Sequence, residues 1–87
     1  EDFNLAQNYP NPFNPTTKIS FAIPQSEMVN ITVYDVTGSV AAVIVNKRMD
    51  AGNHEITFDA AGLSSGVYFY TIRTANFTST KKMILTK

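Results

Sequence analysis

The residues Gly62-Leu63-Ser64-Ser65-Gly66 carry the spacing of a hydrolase nucleophile elbow. That chemistry needs the serine on a strand-to-helix turn and a histidine later in the chain to take its proton. The sole histidine, His54, precedes the motif and no helical period follows it, so a turn between strands is the better reading. His54 also lacks the second His or Cys that a transition-metal site requires. Asp35, Asp50 and Asp59 fall at expected strand ends, where carboxylates can gather around calcium. Their spacing matches no calcium loop, and Asp is common in turns for its own hydrogen bonds. Asn30-Ile31-Thr32 and Asn76-Phe77-Thr78 fit the glycosylation pattern, as chance allows in a Thr-rich chain, and carry no assignment. Tyr68 and Tyr70 share one side of a strand, and Tyr34 is a candidate to extend the stripe. Such a stripe can bind sugar rings, but burial is the usual use of aromatic area and is preferred. No catalytic group, cofactor or metal is expected.

The elements that position these residues follow from composition and period. A chain of 87 residues builds one modest core, which disfavours most enzymes. Seven acidic and seven basic residues cancel, and the basic runs are no longer than Lys47-Arg48 and Lys81-Lys82. Nucleic acid is therefore not an expected partner, because phosphate affinity needs clustered cations. No apolar run reaches the ~18 residues that a membrane helix needs, and Glu1-Asp2 is not the basic start of a signal peptide. Cysteine is absent, which excludes disulfides and thiolate chemistry.

Pro10, Pro12 and Pro15 alternate with Asn8, Asn11 and Asn14 around Tyr9 and Phe13. Each proline lacks a donor and pushes its predecessor toward extended geometry, so the first fifteen residues are expected as an ordered, extended opening segment, a possible seventh strand within it, with both aromatic rings as wedges. A flexible linker is the alternative on composition. From Thr17 onward, short β-like runs alternate with turn signals. Ile19, Phe21 and Ile23 share one face of a strand that Pro24 ends, and Val29, Ile31 and Val33 repeat the period. Thr37-Gly38 reads as a hairpin turn. Val40 to Val45 is apolar on both faces, as a doubly covered or an interface strand would be. Ile56 and Phe58 lie on a half-wet strand, Gly66 to Arg73 is the strongest β signal, and Met83 and Leu85 share a face near the end. The expected fold is all-β, an immunoglobulin-like antiparallel β-sandwich of about seven strands.

Four ordered stretches carry a resemblance. Leu5-Ala-Gln-Asn-Tyr-Pro-Asn-Pro-Phe-Asn-Pro-Thr16, Val33-Tyr-Asp-Val-Thr-Gly38, Leu63-Ser-Ser-Gly-Val-Tyr68 and Lys81-Lys-Met-Ile-Leu-Thr-Lys87 resemble the type A C-terminal sorting domain of the bacterial type IX secretion system. The chain is also similar, more weakly, to the immunoglobulin-like module of hook-capping proteins. The resemblance implies a non-catalytic sorting and anchoring module at the end of an exported protein. It implies transit through the periplasm to the cell surface or medium, with the outer-membrane secretion machinery and a C-terminal processing peptidase as partners. Residues 1–7 are then expected as the linker to an upstream cargo and residues 8–87 as the domain. Pro10, Asn11, Pro12, Phe13, Gly38, Gly66, Tyr68, Met83 and Leu85 are its structural motif residues, and Lys81, Lys82, Ile84 and Lys87 the candidates for partner recognition. A terminal strand with an unpaired edge would suit addition to a sheet in the receptor. The reading kept beside this one is a carbohydrate-binding or cell-adhesive accessory domain of a secreted enzyme.

Overall fold

Period-2 alternation sets the layers. The computed structural model describes residues 2–87, and within them seven strands form. These are β1 (Asn4–Leu5), β2 (Thr16–Ile23), β3 (Glu27–Tyr34), β4 (Val40–Met49), β5 (Gly52–Asp59), β6 (Gly66–Arg73) and β7 (Thr78–Leu85). They pair antiparallel into a three-stranded sheet, β1-β2-β5, and a four-stranded sheet, β4-β3-β6-β7. This is the two-sheet, crossed-connection arrangement of an immunoglobulin-like sandwich.

Between the sheets lie Ile19, Phe21 and Ile23 from β2, Val29, Ile31 and Val33 from β3, Tyr68, Tyr70 and Ile72 from β6, and Met83 and Leu85 from β7. Each set is spaced by two, so each strand turns one face to the core. β4 departs from the pattern. Its register against β3 shifts twice, between Ile31 and Thr32 and between Val33 and Tyr34. β4 is also the edge of its sheet, with Val40 at 61% and Val43 at 56% exposure. The double covering expected for Val40 to Val45 is therefore not found, and of the two readings the structure leaves only a strand open to an interface.

The β3–β4 hairpin turns at Gly38, whose φ of +87° falls in the region that an L side chain adopts only under strain. Asp35 organises the turn by accepting hydrogen bonds from the Thr37 hydroxyl (2.6 Å) and from the backbone N–H groups of Thr37 (2.9 Å) and Ser39 (3.1 Å). The Thr37 hydroxyl and these amides hold the Asp35 carboxyl below its usual value. No atom lies within 4 Å of a Cβ placed on Gly38, so Gly38→Ala is opposed by backbone strain alone. We expect it to cost about 1 kcal/mol and Gly38→Asn less, since Asn tolerates positive φ. Urea midpoints of the two variants check this; equal midpoints for Gly38→Ala and the parent would contradict the turn geometry.

Candidate functional site

The opening segment binds both edges on one side of the sandwich. It first follows β2: Asn4 and Leu5 pair with Ala22 and Phe21, and Tyr9 and Lys18 exchange two backbone bonds of 3.0 Å. Prolines then interrupt further pairing, and the chain crosses to the other sheet, where Phe13 bridges Leu85 in parallel. The Phe13 N–H donates to the Ile84 carbonyl (2.9 Å), and the Thr86 N–H donates to the Phe13 carbonyl (2.9 Å). The Ile84 N–H donates to Asn11 Oδ1 (2.9 Å), and Gln7 Nε2 donates to the Lys82 carbonyl (2.6 Å). The segment is thus laced along the outer edge of β7. Of the two expected wedges, Phe13 is buried at 2% exposure, but Tyr9 is 80% exposed because its bonds to Lys18 turn the ring to solvent.

A buried polar hub fixes this path. Asn8 Nδ2 donates to the Pro10 carbonyl (3.1 Å) and to Thr17 Oγ1 (3.0 Å), while its Oδ1 accepts from Gln7 Nε2 (2.7 Å). Thr17 Oγ1 in turn donates to the Pro10 carbonyl (2.8 Å). The Tyr70 hydroxyl accepts from the Asn8 N–H and donates to the Ala6 carbonyl, both at 2.7 Å. Asn8, Thr17 and Tyr70 are all nearly inaccessible, and a satisfied network in such a place specifies one conformation. No local pattern in the sequence encodes this hub, since its members lie up to 64 positions apart.

β7 presents two chemically different faces. Met83 and Leu85 point into the core, while Ile84 is half-buried and Lys82 exposed on the outward face. Lys81 and Lys82 do not act as one cationic pair. Lys81 sits opposite the buried Tyr70 on the inward rim, and Lys82 sits opposite Phe69 on the outside. Lys87 reaches across to donate to the Ala61 carbonyl at 2.6 Å. The unpaired terminal edge expected from the sequence is only half present. From Lys82 to Thr86 the opening segment occupies it, and the open part, among the described residues, is Thr78 to Thr80.

The residues that suggested other chemistry take structural places. Tyr68, near the start of β6, donates from its hydroxyl to the Ser64 carbonyl at 2.7 Å, the tyrosine-corner geometry of immunoglobulin-like sandwiches. The Gly62 to Gly66 loop is therefore the anchor of that corner, and Gly66 enters β6 at a φ of +151°. His54 packs on Phe21 with ring centroids 5.3 Å apart, and its Nε2 lies 2.7 Å from the Asp50 carbonyl. About 17 Å of strand separates it from Asp59, before the Ser64 loop begins, at roughly 3.3 Å per residue. Asp59 Oδ1 accepts from the Ala61 N–H, and no three His, Cys, Asp or Glu side chains gather among the described residues. A shallow depression of about 420 Å³ lies over β1, β2 and β5, lined by Ser20, Ala22, Asn53 and Glu55 among others. Tyr68 and Tyr70 are buried in the core, and Tyr34 lies on the opposite face of its sheet, beside Phe69. The three tyrosines form no exposed stripe.

The sequence model of the secretion system C-terminal sorting domain matches residues 7–86, almost the whole chain. The chain belongs to this family, the sorting domains of type IX secretion. No curated protein matches it. The match begins at Gln7, so it takes in the whole hub from Asn8 to Thr17 as well as the terminal strand. Each motif of the sorting domain now has a mechanical reason. The Asn8 to Thr17 stretch laces the last strand, Asp35 to Gly38 closes a hairpin, Leu63 to Tyr68 builds the tyrosine corner, and Met83 and Leu85 dock β7. As a type IX sorting domain it serves export to the cell surface or the medium.

Proposed function

We propose that the type IX machinery reads this sorting domain at its terminal strand, through Lys82, Ile84 and Lys87 with Lys81 at the rim, and that the domain itself is not a catalyst. The observation that carries this reading is the division of labour on β7: Met83 and Leu85 are committed to the core, while Lys82 and Ile84 alternate with them on the outside. A strand held by one face can present the other without unfolding. The upstream cargo is joined through residues 1–7. Leu5 is buried and β1 is paired, so a processing peptidase that cuts upstream of Phe3 leaves the domain whole. Cargo and domain pass through the periplasm before release or anchoring at the surface.

The test is a reporter fused upstream of the domain in a bacterium with type IX secretion. The parent fusion is expected at the surface or in the medium. Lys81→Glu with Lys82→Glu is expected to stay folded but to export more slowly, since rim charges act mostly on association rate. Removal of 84–87 is expected to leave the reporter in the periplasm, and because it also deletes the buried Leu85 and four bonds to the opening segment, a melting curve accompanies it. Surface delivery of the tail-less fusion at the parent's efficiency would show that the strand is not the signal.

A further inference from the structure

Net charge is zero, yet the charges are sorted between the two sheets. The strands of the four-stranded sheet hold Lys47, Arg48, Arg73, Lys81 and Lys82 against a single carboxylate, the buried and inward-facing Glu27. On the outward face of this sheet stand Arg48, Arg73 and Lys82, with no carboxylate among the described residues. The other sheet turns Glu55 and Asp59 outward and pairs its only cation, Lys18, with Glu55 at 3.7 Å. A face of one sign steers and selects partners of the other sign even when the whole molecule is neutral.

The same face carries an apolar patch at one end, which crosses all four strands. Tyr34 lies opposite Val40 on one side and Phe69 on the other, and Val67, two positions from Phe69, lies opposite Ile84. Tyr34, Phe69, Val67 and Ile84 are half-buried by one another, and Val40 is largely exposed. Arg73 is held in place rather than left to search. Its Nη1 donates to the Tyr34 hydroxyl at 2.8 Å, and its guanidinium carbon stands 5.8 Å from the centre of the Tyr34 ring. Its other donors remain for a partner, and a guanidinium fixed in this way suits a carboxylate in a defined position. An apolar patch joined to a guanidinium held in one place is the anatomy of a protein docking surface, whereas attraction to an anionic lipid surface needs only a cluster of mobile cations.

We infer that the outward face of the four-stranded sheet, through the apolar patch at Tyr34 and Phe69 and the cation Arg73 anchored beside it, docks a protein surface within the export machinery that sets an apolar area next to a carboxylate. The inference rests on the sorting role and deepens it, because the terminal strand then supplies one side of a contact that continues across β6 and β3. Phe69→Thr and Arg73→Glu, each in the reporter fusion, test it apart from the terminal strand, with Lys18→Glu on the opposite sheet as the charge control. Both face variants are expected to melt near the parent and to lower the surface-to-periplasm ratio about tenfold, with Lys18→Glu unchanged. Tyr34→Phe, which keeps the ring but releases Arg73, is expected to give a smaller loss and serves if either face variant fails to fold. Folded face variants exported like the parent, beside an impaired Lys81→Glu/Lys82→Glu fusion, would overturn the docking face and leave the terminal strand standing. A parent fusion that is not exported would instead overturn the sorting role on which both rest. Flotation of the purified domain with lipopolysaccharide vesicles, abolished by Arg73→Glu, would overturn the protein partner in favour of lipid; no such flotation is expected.

Discussion

Met83→Ala is expected to remove about 2–5 kcal/mol of folding stability, because the side chain is wholly buried and its loss leaves a cavity as well as a smaller apolar surface. Total stabilities of such domains are only about 5–15 kcal/mol, so the variant approaches the limit of folding. The melting temperature should fall by roughly 4–8 °C for each kcal/mol lost in a domain of this size. Met83→Leu conserves volume and should cost less than about 1.5 kcal/mol. Ile84→Ala, on the half-buried outer face of the same strand, should cost far less than Met83→Ala. Urea unfolding of the three variants reads the two faces of β7 against each other. Equal losses at positions 83 and 84 would contradict a strand that docks by one face.

Tyr70→Phe is expected to act on the opening segment rather than on the core. It removes one oxygen and leaves two groups, the Asn8 N–H and the Ala6 carbonyl, without their partner in a site closed to water. The cost should be about 1–3 kcal/mol. Amide exchange at Ile84 and Thr86 should accelerate as the lacing loosens, which a loss confined to core packing would not produce. Alkaline pH offers a second readout. Burial pushes the Tyr70 phenol up to about 12, against about 10 in the unfolded chain, so folding favours the neutral form. The contribution is complete below about pH 10 and is lost as the pH rises through 12, where a phenolate can no longer donate to the Ala6 carbonyl. The parent should therefore lose stability over this window more steeply than Tyr70→Phe. Superimposable slopes in melting temperature against pH would sink the assignment of the hub.

The legible parts of the fold are those whose information is local. Ile19, Phe21 and Ile23, and likewise Val29, Ile31 and Val33, announce both strand and buried face by their spacing, and the structure buries all six. Val40 to Val45 resists the same treatment, because a run that is apolar at every position has no phase and two register shifts would scramble one in any case. Tyr34 illustrates a different limit. Its own strand shows that it faces away from Val33, but its relation to Tyr70 depends on the pairing of Val33 with Tyr70, which no local pattern encodes. The hub is less legible still. Asn8 and Thr17 look like surface residues by type, and only the approach of Tyr70 from a distant strand makes burial tolerable. Of the candidate site, Met83 and Leu85 were readable as a buried pair. The occupation of the β7 edge by Asn11 and Phe13 was not, since prolines signal the end of regular pairing without saying where the chain goes next.

The parallel course of Phe13 beside Leu85 has a consequence for how the domain carries tension. Suppose a load pulls the chain upstream of Asn8 while the far end is held beyond Leu85. Because the two segments run in the same direction, the forces on them point oppositely along their length. The bonds between Phe13, Ile84 and Thr86 are then strained together in shear instead of being peeled one after another. Resistance to such a pull is a matter of rate, set by the barrier to breaking these bonds at once. A domain dragged by its cargo against a grip on its last strand would hold rigid up to that yield point, and beyond it the edge from Lys82 to Thr86 would be stripped bare.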